Sequence, residues 1–319
     1  MKILFVVDPI DSFKIEKDTT FAMMRQASRL GIETHVAELH DLYWESGSNV
    51  CARSTHIELL SEVAPGHHDW YARRETSVLA LKDFDAVLMR KDPPFDMEYF
   101  YATHLLSRAK TEGAKVFNNP EALREHPEKL AILNFPHWIS PTLVTREAER
   151  IKAFHAHHKD IILKPLDGMG GMGIYRVKED ALNLGSLIEG LNQNGQQTVM
   201  VQKFIPAIKE GDKRILLING EAVPFCLARI PQGTEVRGNL AAGGKGVARP
   251  LSDHDWAIAK DLGPKLAAKG LFLVGLDVIG EHLTEINVTS PTCFQEITNQ
   301  TGCDVATLFM DALLKALRD

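Results

Sequence analysis

Cysteine is scarce in this sequence, which has four among its 319 residues and no C-x-x-C pair. The four, Cys51, Cys226, Cys293 and Cys303, are scattered along the chain. Their spacing argues against a zinc site built from paired cysteines. A chain of this length can also bury a sizeable core without disulfides. The thiols suit a reducing compartment, and we expect a cytoplasmic protein.

Long hydrophobic runs and an excess of basic charge are also missing. No segment approaches the roughly 20 apolar residues of a membrane span. The short apolar run at residues 3–7 is followed by no signal-peptide cleavage pattern. Lysine and arginine number 36 against 42 acidic residues, which gives a net charge of −6. We therefore expect neither a membrane nor a nucleic acid among the partners.

Several nucleotide-binding signatures are absent or incomplete. Gly168, Gly170 and Gly173 spell G-x-G-x-x-G, but residues 174–177 favour a strand, whereas a dinucleotide fingerprint opens a helix. The sequence contains no H-R-D, no D-F-G and no G-x-x-x-x-G-K-[ST], which excludes a protein kinase and a P-loop enzyme. The glycines thus lie at the tip of a predicted hairpin. There the backbone N–H groups either cover phosphate oxygens or belong only to a mobile turn.

Strands and helices alternate over the first 120 residues. The pattern predicts strands at residues 3–7, 32–39, 85–89 and 115–117, and helices at 21–30 and 98–111. This alternation indicates a doubly wound α/β domain with a parallel sheet. Residues 41–80 are polar and irregular, and we predict a surface excursion there. Within it, His67 and His68 are expected to be solvent-exposed rather than metal ligands.

The second half of the sequence favours antiparallel pairs and an α+β arrangement. Predicted strands pair at 161–164 with 174–178, at 214–218 with 222–229, and at 272–279 with 283–288, and helices follow at 253–269 and 304–317. Asn219-Gly220 is a type I′ hairpin signal between two of these strands. The glycine-rich loop at 230–246 has almost no apolar periodicity, and a loop of this length is typically either a functional lid or a disordered segment.

Charged side chains cluster around the predicted hairpins. Lys164 lies on the strand that enters the glycine turn, and Lys129 precedes it on a helical segment. Glu285 and Asn287 share one face of a strand, because side chains repeat every two residues, and Asp277 is expected opposite Glu285. Two carboxylates and a carboxamide oxygen are ligands suited to Mg²⁺ with bound nucleotide phosphates. The alternative is a polar outer face of a hairpin.

Together these motifs resemble the bacterial glutathione synthetase family of the ATP-grasp superfamily. The resemblance is carried by Lys129, the segment 162–173, Gly211-Asp212-Lys213-Arg214, and the stretches 89–96, 228–233, 237–244 and 284–291. It implies an N-terminal α/β domain at 1–122, a central ATP-grasp subdomain at 123–200 and a C-terminal ATP-grasp subdomain at 201–319. It also implies a lid at 230–246 and a homotetramer.

The resemblance implies a role for each matching residue. Lys129 and Lys164 match phosphate-binding lysines, and Asp212 matches an acidic position beside the ribose. Further nucleotide contacts are implied for the phosphate loop (Gly168, Met169, Gly170, Gly171) and for the adenine-side strand (Gln202, Lys203, Phe204, Ile205). Asp277, Glu285 and Asn287 match the ligands of Mg²⁺, with Mn²⁺ as a second candidate. Arg214 matches an arginine near the transferred phosphate and the acyl phosphate, and we expect it to be catalytic. Arg229 and Arg237 bracket the start of the loop at 230–246 and are candidate catalytic and substrate-binding arginines, the alternative being surface arginines in a mobile loop. Arg90 follows a buried strand at the C-terminal edge of the sheet, where α/β domains place ligands, and we expect it, like Asn287, to contact substrate.

The implied reaction is an ATP-dependent ligation. γ-Glutamylcysteine is activated by ATP as an acyl phosphate, and glycine then displaces phosphate to give glutathione, with release of ADP. Two other functions remain open on the sequence: another ATP-grasp carboxylate–amine ligase, and a non-catalytic ATP-binding scaffold on the same fold. A scaffold would have no need of both Asp277 and Glu285.

Overall fold

In the computed structural model, residues 1–60, 70–233 and 235–318 are described, and they form three β-sheets flanked by helices. His67 and His68 lie outside these residues. The mixed α/β class predicted from the sequence is confirmed. No helix in the described residues is long and apolar enough to cross a membrane.

The N-terminal sheet has a parallel centre. Its strands are β1 (Lys2–Val6), β2 (Glu33–Ala37), β3 (Leu42–Tyr43), β4 (Cys51–Leu59), β5 (Tyr71–Ala80), β6 (Ala86–Met89) and β7 (Val116–Phe117). β1 pairs in parallel with β2 and β6, and β6 pairs in parallel with β7. The helices of this region are α1 (Thr19–Arg29), α2 (Met97–Thr111) and α3 (Pro120–Glu125). Residues of α1 and α2 pack into different core clusters, with alternate residues of β1, so the sheet is covered on both faces as predicted.

The predicted surface excursion at 41–80 is wrong for most of its length. β4 and β5 form a long antiparallel hairpin that joins the sheet through β2. The sequence signal is weak because β5 is an edge strand whose middle residues, Arg73 to Thr76, are exposed and polar. On β4, a buried polar residue, Ser54, stands where apolar alternation would be expected.

The central sheet contains β8 (Thr142–Thr145), β9 (Ile161–Pro165), β10 (Tyr175–Val177) and β11 (Val199–Lys203), in the order β10-β9-β11-β8. All of its pairs are antiparallel. It packs against α4 (Ala148–His158) and α5 (Leu184–Asn192) through a small apolar core. The glycine run lies between β9 and β10, which confirms the hairpin reading. β11 crosses residue 200, and the division into three domains stays a prediction.

The C-terminal sheet contains β12 (Asp212–Ile218), β13 (Glu221–Ile230), β14 (Lys245–Pro250), β15 (Leu273–Ile279) and β16 (His282–Asn287). They run in the order β14-β13-β12-β15-β16 and are antiparallel throughout. The helices α6 (Asp253–Ala267), α7 (Phe294–Thr301) and α8 (Val305–Arg318) complete the chain. The glycine-rich segment predicted as a lid connects β13 to β14.

A buried asparagine joins the first sheet to the third. The Nδ2 atom of Asn118, which directly follows β7, donates to the carbonyl oxygens of Leu273 and Val288 at 2.8 and 2.7 Å. Its Oδ1 accepts from the backbone N–H of Leu273 at 2.8 Å. These three bonds satisfy the whole side chain, so the N-terminal sheet is held in register with β15 and with the end of β16.

The turn between β12 and β13 is pinned by a glycine-to-glycine contact. Asn219 and Gly220 have φ of 48° and 86°, as a type I′ turn requires, so this prediction is confirmed. Gly263, inside α6, approaches the turn so closely that a Cβ there would lie 2.1 Å from the carbonyl oxygen of Gly220. That atom belongs to the backbone and cannot rotate away.

Gly263→Ala should therefore destabilise the protein, although alanine normally favours a helix by about 1 kcal/mol over glycine. Gly190→Ala is the matched control, because Gly190 lies in α5 with open space around its Cβ position. We expect thermal unfolding to show a lower Tm for Gly263→Ala and an unchanged or higher Tm for Gly190→Ala. Equal shifts in both variants would contradict the steric account.

Candidate active site

A cleft opens between the central and C-terminal sheets. Its walls are largely apolar, and the residues that supply them are Ile162, Ile174, Phe204, Ile205, Ile208 and Ile279. Gln202 and Lys203 also line it, so the whole of the predicted adenine-side segment 202–205 faces this cavity. An apolar slot with a few polar groups at its edge is the usual form of a site for a flat ring.

Two buried lysines flank one carboxylate that lines this cavity. The Nζ atoms of Lys129 and Lys164 lie 3.6 and 3.7 Å from Oε1 of Glu285. Lys129 also donates to the carbonyl oxygen of Gly168 at 2.5 Å. Burial lowers the pKa of Lys164, and the charge of Glu285 opposes that effect. Two ammonium groups facing one carboxylate leave net positive charge, which favours an anionic ligand such as a polyphosphate.

A buried ion network spans three neighbouring strands next to the lysines. Arg214 on β12 contacts both carboxylate oxygens of Asp277 on β15, at 2.5 and 3.1 Å. Arg229 on β13 lies 2.9 Å from Asp277 and 2.5 Å from Asp212. Burial raises the pKa of Asp277, but the two arginines outweigh it and hold that pKa well below its usual range. Burial is the dominant effect on Asp212 and raises its pKa.

Asp212 has an unused acceptor in this network. Its Oδ2 accepts from Arg229, whereas its Oδ1 is buried and has no hydrogen-bond partner among the described residues. An unsatisfied buried oxygen costs about 1–3 kcal/mol, so a donor on a ligand would be favoured there. Asp212 lines the cleft, and this open acceptor is where the predicted ribose contact would fall.

A second cavity adjoins the first, and Glu285 and Asn239 line both. Its wall includes Arg214, Arg229, Asn287 and the tip of the glycine hairpin, residues 168–170. The lining also includes Glu128, Asp92 and the segment 289–293 after β16. The predicted site residues from the phosphate loop, the arginines and β16 are thus brought together around Glu285.

The donor atoms at this junction fit a divalent cation. Register pairs Asp277 with Glu285 across β15 and β16, as predicted, and Asn287 follows on the same face as Glu285. The three offer hard oxygen atoms, and Mg²⁺ is usually held by one or two carboxylates together with substrate phosphates. No group of three or more His, Cys, Asp and Glu side chains in the described residues could hold a metal alone. The set therefore suits a cation whose remaining ligands come from a nucleotide.

The glycine hairpin contacts the segment that is predicted as a lid, and residues of that segment line both cavities. Arg237 of this segment donates through Nη1 to the carbonyl oxygen of Gly171 at 3.2 Å. Gly171 has φ of +83°, and a Cβ there would lie 2.7 Å from Oδ1 of Asn239. The loops can approach this closely only because the hairpin carries no side chain at that point.

Arg90 lies apart from the other predicted residues. Its guanidinium is buried and donates to Oγ1 of Thr20 and to the carbonyl oxygen of Pro291, both at 3.1 Å. Burial lowers its pKa. Pro291 lines the second cavity, whereas Arg90 itself does not. Direct contact between Arg90 and a peptide substrate stays a prediction.

Sequence reasoning missed several residues of the site. The apolar wall at Ile162, Ile174 and Ile279 could have been found from the sequence. Apolar residues alternate there with a period of two, and Ile162 and Ile279 lie on the same strands as Lys164 and Asp277. Although the next residue, Lys129, was selected, no sequence pattern selected Glu128. Its partners, Val288 and Thr289, are 160 and 161 residues away, and no local pattern reports such a contact.

Two family models cover nearly the whole chain. The model for the prokaryotic glutathione synthetase N-terminal domain matches residues 1–124, and the model for the ATP-grasp domain of the same family matches residues 128–302. A curated glutathione synthetase of Ralstonia nicotianae is 57% identical over 99% of this chain and 96% of its own length. The glutathione synthetase of Neisseria meningitidis serogroup A is 53% identical over 98% of both chains.

Solved structures show the same fold at low identity. The crystal structure of D-cycloserine synthetase DcsG aligns with a TM-score of 0.66 at 16% identity and covers 99% of both chains. The ATP-grasp ligase PsnB, complexed with minimal precursor, Mg and ADP, aligns with a TM-score of 0.63 at 16% identity, over 100% of this chain and 98% of its own. At this identity the likeness extends to the fold alone.

Asp277→Asn should strongly destabilise the ligand-free protein, because it leaves the buried Arg214 without a carboxylate partner and Arg229 with Asp212 alone. Removing one partner of a buried ion pair costs about 3–5 kcal/mol. Asp11→Asn is the matched control, since the Asp11–Arg73 pair is mostly exposed and such pairs contribute about 1 kcal/mol or less. Chemical denaturation should give a much lower free energy of unfolding for Asp277→Asn than for Asp11→Asn. A loss for Asp277→Asn no larger than that for Asp11→Asn would contradict this assignment.

Proposed function

The chain belongs to the prokaryotic glutathione synthetase family, and from the geometry of its site we propose how its own residues carry out the family's reaction. The enzyme is an ATP-dependent ligase that joins γ-glutamylcysteine and glycine. Enzymes of this kind use ATP and a divalent cation. The roles of individual residues, the identity of the cation, the assembly and the compartment are the parts that we propose.

One observation carries the division of roles. Glu285 lines both cavities, with Lys164 beside it in the apolar cleft and Arg214 and Arg229 beside it in the second cavity. Lys129 lies 3.6 Å from Glu285. We assign the cleft to ATP and the second cavity to γ-glutamylcysteine and glycine. The γ-phosphate would then sit at the junction, where the cysteinyl carboxylate can attack it to form an acyl phosphate.

Within the cleft, residues 202–205 would meet the adenine, and the open Oδ1 of Asp212 would accept from a ribose hydroxyl. Lys129 and Lys164 would contact the phosphates, and residues 168–171 would cover them with backbone N–H groups. Phosphoryl transfer needs positioning and charge neutralisation more than covalent help, so buried cations suit this chemistry.

Asp277, Glu285 and Asn287 would hold the divalent cation, and we propose Mg²⁺, with Mn²⁺ as a second candidate, because all three offer hard oxygen ligands. When bound, the cation supplies positive charge that neutralises the phosphate oxygens during transfer. Asp277 would bind the cation while it remains paired with Arg214 and Arg229.

In the second cavity, Arg214 and Arg229 would stabilise the acyl phosphate, and Asn287 would contact substrate. Arg237 and the lid residues around it would exclude water, because an acyl phosphate hydrolyses when it is wetted. The contact between Arg237 and Gly171 supports this role, since it closes the phosphate loop and the lid over the same space. Arg90 would contact the peptide substrate directly, or it would position Pro291, which lines the second cavity.

We also propose a cytoplasmic homotetramer. The four cysteines are free thiols, which suits a reducing compartment. Sedimentation of the purified protein should give four times the 35.5 kDa chain mass at micromolar concentration. A stable monomer or dimer under those conditions would remove the tetramer from the proposal.

The ligation is tested by mixing the protein with ATP, γ-glutamylcysteine and either Mg²⁺ or Mn²⁺, with and without glycine. We expect ADP release that depends on glycine and is matched one-for-one by tripeptide in mass spectrometry. Glu285→Gln should lower kcat by at least about a hundredfold, the size of effect seen when a group that stabilises developing charge is removed.

Glu281→Gln is the control, because Glu281 lies in the exposed turn of the same β15–β16 hairpin. It should leave turnover unchanged. ATP binding without turnover in the unmodified protein would favour the non-catalytic scaffold. Turnover with another amino acid but not with glycine would show that glycine is not the substrate. Equal losses in both variants would show that Glu285 acts through the hairpin alone.

A further inference from the structure

Three carboxylates line the second cavity, and they differ in the protein groups that they contact. Glu285 faces the two lysines. Asp92 is exposed and accepts from the hydroxyl of Ser290. Glu128 is the third, and it follows a short segment after α3 that leads into the central sheet. It has no assigned role in the ligation described above.

One oxygen of Glu128 is fully occupied. Oε1 accepts from the backbone N–H of Val288 at 3.0 Å, and from the N–H and Oγ1 of Thr289 at 3.2 and 2.9 Å. The backbone carbonyl of Glu128 also accepts from the N–H of Ile286 at 3.0 Å. The side chain is therefore fixed against the two residues that directly follow β16, and the backbone of Glu128 is fixed against β16 itself.

The other oxygen is not occupied. No group in residues 1–60, 70–233 or 235–318 donates to Oε2 of Glu128, and the side chain lines the second cavity. A carboxylate oriented by three donors on one oxygen presents the second as a fixed acceptor with negative charge. Such a group is matched by a cationic donor, and an ammonium group is the simplest one.

We propose that Oε2 of Glu128 receives the amino group of the incoming amino acid. This inference rests on the ligation proposed above and deepens it by naming the residue that positions the amine. The same cavity contains Arg214 and Arg229, which suit carboxylates and the acyl phosphate. Glu128 adds the anionic partner that the amine end of a zwitterion requires.

The chemistry of the second half-reaction needs such a group. An ammonium ion has no lone pair, so one N–H proton leaves before attack, and Oε2 is in place to take it. The nitrogen then bonds to the acyl carbon, the bond from that carbon to the phosphate oxygen breaks, and inorganic phosphate leaves with the electron pair. The second proton departs from the new amide nitrogen to solvent or phosphate.

Glu128→Gln separates this role from a structural one. Glutamine keeps an oxygen that can accept from Val288 and Thr289, but it places an NH₂ donor in the cavity. We expect an unchanged Tm and an unchanged Kd for ATP. The value of kcat/KM for glycine should fall about 10- to 100-fold, the size associated with losing a hydrogen bond to a charged group.

Hydroxylamine provides the matched nucleophile, because it is largely uncharged at neutral pH and needs no ammonium partner. With ATP and γ-glutamylcysteine, the unmodified protein and Glu128→Gln should form the hydroxamate at rates within about twofold of each other. Equal losses with glycine and hydroxylamine would overturn the proposal, since Glu128 would then act only by holding residues 286–289.

Asp92→Asn tests the rival carboxylate of the same cavity. The proposal is overturned if Asp92→Asn impairs glycine selectively and Glu128→Gln does not. Failure of the underlying ligation would be recognised by a separate outcome. If the unmodified protein forms neither hydroxamate nor tripeptide, no acyl phosphate is made, and the proposed function fails together with the inference built on it.

Discussion

The buried ion network of Asp212, Arg229, Asp277 and Arg214 is the constraint on which the site depends. Two guanidinium groups and two carboxylates lie inside a β-sheet, where each would be costly alone. They compensate one another only because β12 lies between β13 and β15 in a fixed register. The register of β15 with β16 then sets Glu285 opposite Asp277. The order and registers of the strands in the C-terminal sheet thus determine the charge pattern of the site.

Local patterns in the sequence were enough to predict much of the fold. Alternating strands and helices indicated the parallel N-terminal sheet, and Asn219-Gly220 indicated the β12–β13 hairpin of the C-terminal sheet. The period of two along a strand placed Asp277 against Glu285. The β4–β5 hairpin was missed, because an edge strand with polar residues on its open face lacks the apolar alternation that marks a half-buried strand.

The candidate site was less accessible to sequence reasoning than the fold. Its charged residues could be picked out singly, and the family resemblance suggested what each does. Apart from Asp277 and Glu285, their pairing could not be foreseen, since the link between Arg214 and Asp277 crosses 63 residues and the link between Glu128 and Thr289 crosses 161. Such contacts follow from strand order and from the Asn118 junction, which exist only in the folded chain.

Glu128 and Lys129 are consecutive residues, and this adjacency has a geometric consequence. Glu128 lines the cavity that we assign to the amine, and Lys129 lies 3.6 Å from Glu285, where we propose that phosphate binds. Their Cα atoms are held about 3.8 Å apart by a single peptide unit. Any movement of the backbone that carries Glu128 must therefore carry Lys129 with it. The proposed amine-binding group and one proposed phosphate-binding group are thereby coupled through covalent structure.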